Sequence, residues 1–135
     1  MIGLLVNVDV EDLERAVEFY RDAFDLRVSR RFGSDAVEML GASSPIYLLA
    51  KPPGSTASRV VPLTRDYRRH WTPVHLDFVV EDVAGVVQKA QAAGASLEED
   101  IQSHRWGRLA LMADPFGNGF CVVQFVGRGY DEIAD

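Results

Sequence analysis

Residues 4–13 read LLVNVDVEDL, and residues 74–83 read VHLDFVVEDV. Each stretch is a short run in which apolar residues alternate, followed by a Glu-Asp pair and another apolar residue. Alternation with a period of two is typical of a strand that is buried on one face. An internal repeat of this kind predicts that the chain contains two copies of one structural unit.

Each copy continues into a predicted amphipathic helix, because its apolar residues recur at i, i+3, i+4 and i+7. Asp12 and Asp82 are the predicted N-caps, since a carboxylate accepts the free amide hydrogens of a first turn. Gly94 is the predicted end of the second helix, and Asp25 holds the matching place in the first. The apolar stripes are Leu13, Ala16, Val17, Tyr20 and Phe24 in the first copy, and Val83, Val86, Val87 and Ala90 in the second.

Three short strands are predicted after each helix, so that each copy reads βαβββ. A strong turn signal, the DPFGN of residues 114–118, separates the last two strands. We expect one domain over 1–135, with a first module at about 2–51, a linker at 52–72, a second module at about 73–127 and a frayed polar tail at 128–135. The predicted strands are 27–32, 36–40 and 46–51, then 96–102, 108–113 and 120–126.

The phase of each first strand predicts which side chains face away from the helices. Asn7 lies on that face in the first copy, and His75 and Asp77 lie on it in the second. We therefore predict an α+β fold of two βαβββ modules, in which curved mixed sheets form a cup with the helices outside. A polar-lined concavity of this kind is a candidate binding site.

Composition excludes several classes of protein. The 135 residues carry a net charge of −6, and 47% of them are hydrophobic, which indicates a globular protein and argues against a broad nucleic-acid-binding face. Residues 65–71 read RDYRRHW and are interpreted either as a solvated loop or as a lid or dimer edge that attracts an anionic or aromatic ligand. We expect no signal peptide and no membrane span, and hence a cytoplasmic protein without nucleic-acid or membrane partners.

Three motifs together resemble the vicinal oxygen chelate superfamily, which includes glyoxalases, bleomycin-resistance proteins and extradiol dioxygenases. They are VDVEDLERAVEFYRD at 8–22, VHLD at 74–77 and DPFGNGFC at 114–121. The details are most similar to the glyoxalase-like branch. The resemblance implies two four-stranded sheets around a cleft, a small-molecule ligand and a homodimer.

The resemblance also implies four metal-ligand positions, two on the first strands and two on the last strands of the modules. Carried over to this chain, they fall on Leu5 and His75, and on Tyr47 and Cys121. Leucine cannot bind a metal, and tyrosine and a lone thiol are poor substitutes for carboxylates. We therefore expect no metal cofactor. If a divalent ion (Zn, Mn, Fe, Ni or Mg) binds, His75 is the expected ligand.

Each candidate site residue has a structural and a functional interpretation. His75 is a histidine hydrogen-bonded to Asp77, a ligand-contacting donor or general base, or a metal ligand. Cys121 is a small buried residue or a thiol activated by His75. Tyr47 is a core or cup-wall aromatic or an acid catalyst, and Asn7 hydrogen-bonds a ligand or only the neighbouring strands. Trp106 is predicted to close the mouth of the cup. Glu38 is interpreted as a solvent-facing residue.

Two functions follow from these assignments. The first is a metal-free protein that binds a small organic molecule through Asn7, Tyr47, His75, Trp106 and Cys121. The second is a lyase, isomerase or dioxygenase that uses a metal held by His75 and by other residues, such as Glu38, Asp77 or His104. Catalysis by His75 and Asp77 without a metal is compatible with either outcome of a metal analysis.

Overall fold

A computed structural model describes all 135 residues, and the chain divides into two compact units, Met1–Arg68 and Arg69–Asp135. Each unit contains one βαβββ motif, which confirms the predicted α+β fold. The first unit contains β1 (Val6–Val10), α1 (Leu13–Phe24), β2 (Arg27–Phe32), β3 (Ala36–Leu40) and β4 (Ile46–Ala50). The second contains β5 (Leu76–Val79), α2 (Val83–Ala93), β6 (Ser96–Ser103), β7 (Gly107–Ala113), β8 (Gly119–Phe125) and a short 3-10 helix (Gly129–Glu132).

The two sheets have the same topology. The strand order is β1-β4-β3-β2 in the first unit and β5-β8-β7-β6 in the second. In each unit the first strand pairs in parallel with the last, and the other pairs are antiparallel. The helix provides the crossover connection, and the following three-strand meander returns the chain to a position beside its first strand.

The helix ends follow the predicted capping. The carboxylate of Asp12 accepts the amide hydrogen of Arg15 at 3.1 Å, and that of Asp82 accepts the amide hydrogen of Gly85 at 3.1 Å. Asp25 and Gly94 end the helices in the left-handed conformation, with φ values of 57° and 116°. Both N-cap predictions and both C-cap predictions are therefore confirmed.

Each unit buries one side of its sheet and helix in a core of its own. In α1 the most enclosed large side chain is Phe19, which meets Tyr20 edge-on with ring centroids 4.9 Å apart. Full burial of such a side chain contributes about 1.5–3 kcal/mol. The other large side chains that are almost fully buried are Met39, Leu48, Val10 and Val37 in the first unit, and Phe116, Met112, Val83, Val122 and Val123 in the second.

The ends of the six later strands lie within one residue of the prediction, whereas the start of each first strand and the C-terminal tail differ more from it. β1 begins at Val6 and β5 at Leu76, so that Leu4 and Val74 lie outside the strands and are 73% and 80% exposed. The expected frayed tail contains the 3-10 helix, whose Tyr130 ring packs on Phe125 with centroids 4.8 Å apart. Neither α1 nor α2 is long and apolar enough to cross a membrane.

Candidate functional site

A cavity of about 210 Å³ opens in the second unit. Its walls combine large apolar or aromatic side chains with a few polar ones, the composition expected of a small-molecule site. The first segment of the unit, before β5, contributes four lining residues, and the sheet contributes the other six. The lining residues are Arg69, Trp71, Thr72, His75, Glu98, Leu111, Met112, Gly119, Phe120 and Cys121.

His75, Asp77 and Cys121 meet at the start of the second sheet. His75 lies directly before β5, and Asp77 on β5 is the register partner of Cys121 on β8. The Nε2 atom of His75 lies 3.1 Å from Oδ1 of Asp77. The ligand atoms of all three residues lie within 4.8 Å of one another. The structure therefore brings together three candidate residues that the sequence suggests in pairs, His75 with Asp77 and His75 with Cys121.

The thiol of Cys121 is buried and protonated. Desolvation by burial, together with the charge of the neighbouring Asp77 carboxylate and a hydrogen bond to it, raises the pKa of the thiol to about 12. A nucleophilic cysteine needs the opposite shift, because the thiolate is the reactive form. Of the two interpretations of Cys121, the geometry therefore favours a small buried residue over an activated thiol.

Arg69 forms another wall of the cavity. Its Nε and Nη2 atoms donate to the two carboxylate oxygens of Glu98 at 2.6 and 2.9 Å, and Nη1 donates to the carbonyl oxygen of His70. A Cβ atom at Gly119 would lie 2.5 Å from Nη2 of Arg69. The absence of a side chain at Gly119 therefore leaves room for the guanidinium to lie against β8.

The turn at 114–118 holds the lining residues of β8 in place. The buried carboxylate of Asp114 accepts the amide hydrogens of Phe116 and Asn118 at 2.8 and 3.0 Å and the side-chain amide of Asn118 at 3.0 Å. The side chain of Asn118 in turn lies 3.1 Å from Nε2 of His70. The turn therefore links the segment that carries Arg69 to the start of β8.

Glu38 belongs to a polar cluster in the first unit, although the sequence predicts that it faces solvent. The Glu38 side chain is only 6% exposed, so that interpretation is wrong. Its carboxylate receives two hydrogen bonds from Arg30, at 2.9 and 2.7 Å, and one from the hydroxyl of Tyr47 at 2.5 Å. The hydrogen bonds from Arg30 and Tyr47 lower the pKa of Glu38 to about 2, and the same contact with Glu38 raises the pKa of Tyr47.

The alternation of buried residues along β3 indicates on which face of the sheet the Glu38 side chain lies. Its neighbours Val37 and Met39 are fully buried on the helix side of β3, so Glu38 faces the other way. It is there the register partner of Tyr47, which is also paired with Asn7. Asn7 and Tyr47 therefore lie side by side on the face opposite the helix, as predicted for Asn7.

Trp106 belongs to an aromatic cluster of its own. The ring of His104 stacks on it in parallel with centroids 5.0 Å apart, and Tyr130 approaches to 5.2 Å. Neither Trp106 nor His104 lines the cavity of about 210 Å³. Closure of a binding site by Trp106 stays a prediction.

Two of the four metal positions implied by the resemblance, Leu5 and Tyr47, lie in the first unit, and neither offers a free ligand atom. Leu5 has no donor atom, and the hydroxyl of Tyr47 already donates to Glu38 while it accepts from Arg30. The second unit alone offers His75, Asp77 and Cys121. Imidazole, carboxylate and thiolate are all zinc ligands, but a metal at this cluster would have to displace the proton of the thiol.

A family model described as a glyoxalase-like domain matches residues 5–123. The chain belongs to the glyoxalase-like family. Its fold is accordingly that of the vicinal oxygen chelate superfamily, which confirms the resemblance seen in the sequence.

Solved structures and curated relatives of this glyoxalase-like protein agree with the assignment. The fosfomycin resistance protein FosX from Listeria monocytogenes superposes with a TM-score of 0.72 at 16% identity, covering 99% of both chains. At such identity the likeness establishes the fold alone. The anthracycline biosynthesis protein DnrV of Streptomyces peucetius is 30% identical over 94 residues, which cover 70% of this chain and 32% of that protein. An uncharacterized protein of Mycobacterium bovis is 29% identical over 138 residues, which cover 97% of this chain and 89% of that protein.

Proposed function

We propose that this chain binds a compact organic molecule in the cavity of the second unit, and that it does so without the metal of its superfamily. The observation that carries the proposal is the cavity of about 210 Å³, in which apolar walls surround His75 and Arg69. Drug-sized ligands occupy about 300–1,000 Å³. The volume therefore favours a ligand with one or two rings, or one end of a larger molecule.

The role proposed for Asp77 is to orient His75. A carboxylate only accepts hydrogen bonds, so the neutral imidazole directs its Nε2 hydrogen toward Asp77 and leaves Nδ1 as an acceptor. A ligand hydroxyl or N–H group can donate to that nitrogen. The same arrangement makes His75 the general base if the protein turns over its ligand, since the imidazole can take the proton it is offered.

A pocket-filling variant tests the binding function. Thermal unfolding is followed with a library of small organic compounds for the wild type, for Leu111→Trp and for the control Leu63→Trp. Leu111 lines the cavity, whereas Leu63 is an exposed residue of the first unit. We expect compounds that raise the melting temperature of the wild type to act equally on Leu63→Trp and to lose their effect on Leu111→Trp. The proposal fails if no compound acts, or if Leu111→Trp responds like the wild type.

The second candidate function is that of a metal-dependent lyase, isomerase or dioxygenase. The approach of three ligand atoms to within 4.8 Å of one another favours it. His75, Asp77 and Cys121 would hold the ion, which when bound supplies a Lewis acid for substrate oxygens. Zinc retained at one equivalent per chain after dialysis, and lost in both His75→Ala and Cys121→Ser, would overturn the metal-free function and favour this one. The absence of retained metal from protein prepared in zinc-containing medium would leave the metal-free function.

A further inference from the structure

The single permanently charged cation of the cavity wall is already paired. Glu98 occupies two donor groups of Arg69, and the His70 carbonyl takes a third. The side chains of Arg69 and Glu98 are 41% and 33% exposed, so the pair is only partly screened by water. Two N–H groups of the guanidinium remain, but a carboxylate ligand that bound them would lie beside the negative charge of Glu98 on β6.

Acidic groups outnumber this cation around the cavity. Glu98 lines it, and Asp77 stands behind His75. The pairing with Arg69 lowers the pKa of Glu98, so that the carboxylate is ionised at neutral pH. An anionic ligand would therefore meet like charge on two sides, and like-charge contacts are the usual means by which a site rejects the wrong ligand.

The remaining walls are suited to a flat ring. Trp71 is 80% exposed, and it is one of the lining residues of the cavity, as are Leu111 and Phe120. Aromatic rings bind such surfaces by offset stacking or edge-to-face contact, which adds to the hydrophobic gain. The exposure of a large indole at the cavity indicates a surface that a ligand ring can cover.

We infer that the cavity takes an uncharged planar aromatic molecule with a hydroxyl group, and that the Glu98–Arg69 pair makes it reject the corresponding carboxylate. The inference rests on the proposed binding function. The ring covers Trp71, and the hydroxyl donates to Nδ1 of His75. Glu98 is on this view a specificity-determining residue, because it neutralises the one cation that would otherwise attract an anion.

The test compares 2-naphthol with 2-naphthoate, two probes of similar shape that differ in charge at neutral pH. Their binding is measured by isothermal titration calorimetry for the wild type, for Glu98→Gln and for the control Glu99→Gln, whose side chain is the next acidic group on β6. We expect the wild type and Glu99→Gln to prefer naphthol by about tenfold or more. In Glu98→Gln the freed guanidinium should remove or reverse this preference. The double variant Glu98→Gln/Arg69→Met should restore it, which separates a freed Arg69 from general loosening of the unit.

Several results would overturn the inference. One is that the wild type binds naphthoate as tightly as naphthol, and another is that Glu98→Gln leaves the preference unchanged while circular dichroism shows a folded chain. If neither probe binds but other compounds bind in a manner sensitive to Leu111→Trp, the ligand class is wrong and the binding function stands. If no compound of any class binds, the proposed function itself fails.

Discussion

Removal of the Asp114 carboxylate is expected to destabilise the second unit more than any single surface substitution. Asp114 is 4% exposed, and it accepts hydrogen bonds from two backbone amides and from the side chain of Asn118. The backbone amides of Phe116 and Asn118 both donate to Oδ1, whereas the side chain of Asn118 donates to Oδ2. This division between the two oxygens makes two substitutions at one site informative.

The magnitude follows from the groups left without a partner. In Asp114→Ala both backbone amides lose their acceptor, and each unsatisfied buried donor costs about 1–3 kcal/mol. We therefore expect the free energy of unfolding to fall by about 2–6 kcal/mol. Asp114→Asn can keep one oxygen for the two amides and loses only the contact with the Asn118 side chain. Its expected cost is about 1–2 kcal/mol.

Urea unfolding followed by circular dichroism measures both changes, with Asp135→Ala as an exposed control that should shift stability by less than about 0.5 kcal/mol. The turn also connects to His70 through Asn118, so ligand binding in the cavity should weaken in Asp114→Ala. A loss below about 1 kcal/mol in Asp114→Ala would refute the reasoning. An equal loss in both variants would show that the division of labour between Oδ1 and Oδ2 is wrong.

Three further predictions concern acid stability, thiol reactivity and backbone packing. The pKa of Glu38 is lowered from the ordinary value of 4.5 to about 2, so the stability that its carboxylate contributes is present above pH 4.5 and is lost as the pH falls toward 2. The urea midpoint should therefore decline less over this pH range in Glu38→Gln than in the wild type, and an identical decline would contradict this reasoning. Because the pKa of Cys121 is raised from 9.0 to about 12, its reaction with Ellman's reagent at pH 8 should be about a thousandfold slower in the native protein than in denaturant; equal rates would exclude the burial described. A Cβ at Gly107 would lie 2.3 Å from the backbone oxygen of Gln124, whereas one at Gly3 meets nothing within 4 Å; thermal unfolding should show Gly107→Ala destabilised by about 1–3 kcal/mol and Gly3→Ala unchanged.

The repeat and the helix caps made the fold accessible from sequence, because both depend on local patterns. Strand limits were less accessible, since a strand extends only as far as its partner. β1 begins at Val6 because its partner on β4 begins at Ile46, and β5 begins at Leu76 opposite Phe120. The apolar alternation continues before both points and is uninformative about where pairing starts.

The residues of the candidate site could be predicted only in part from the sequence, because some of their contacts depend on tertiary packing. His75, Asp77 and Cys121 follow from strand phase and the parallel pairing of the first and last strands. Glu98 gave no signal, because its partner Arg69 lies outside the regular elements and 29 residues earlier in the chain. Long-range ion pairs of this kind depend on tertiary packing and not on local periodicity.

The burial of Glu38 was missed for a different reason. Its partner Arg30 lies on β2, where the pairing with β3 is irregular between Val28 and Arg31. A bulge changes the face on which the following side chains project. Alternation counted along β2 therefore cannot place Arg30, and Glu38 is mistaken for an exposed carboxylate.

Comparison of equivalent positions shows how the two copies of the motif have diverged. The first strand, last strand and third strand present Asn7, Tyr47 and Glu38 across one row of the first sheet. The equivalent row of the second sheet is Asp77, Cys121 and Leu111.

The carboxylate has thus changed strands between the copies. On the third strand of the first unit it is held by Arg30 and Tyr47 and is closed to other partners. On the first strand of the second unit it stands beside His75, and leucine takes the place of glutamate at the cavity wall. An ionic cluster that satisfies itself stabilises a sheet, whereas an imidazole beside a carboxylate and an apolar wall can receive a ligand. The divergence of this one row is therefore the reason why we propose a binding role for the second copy and not for the first.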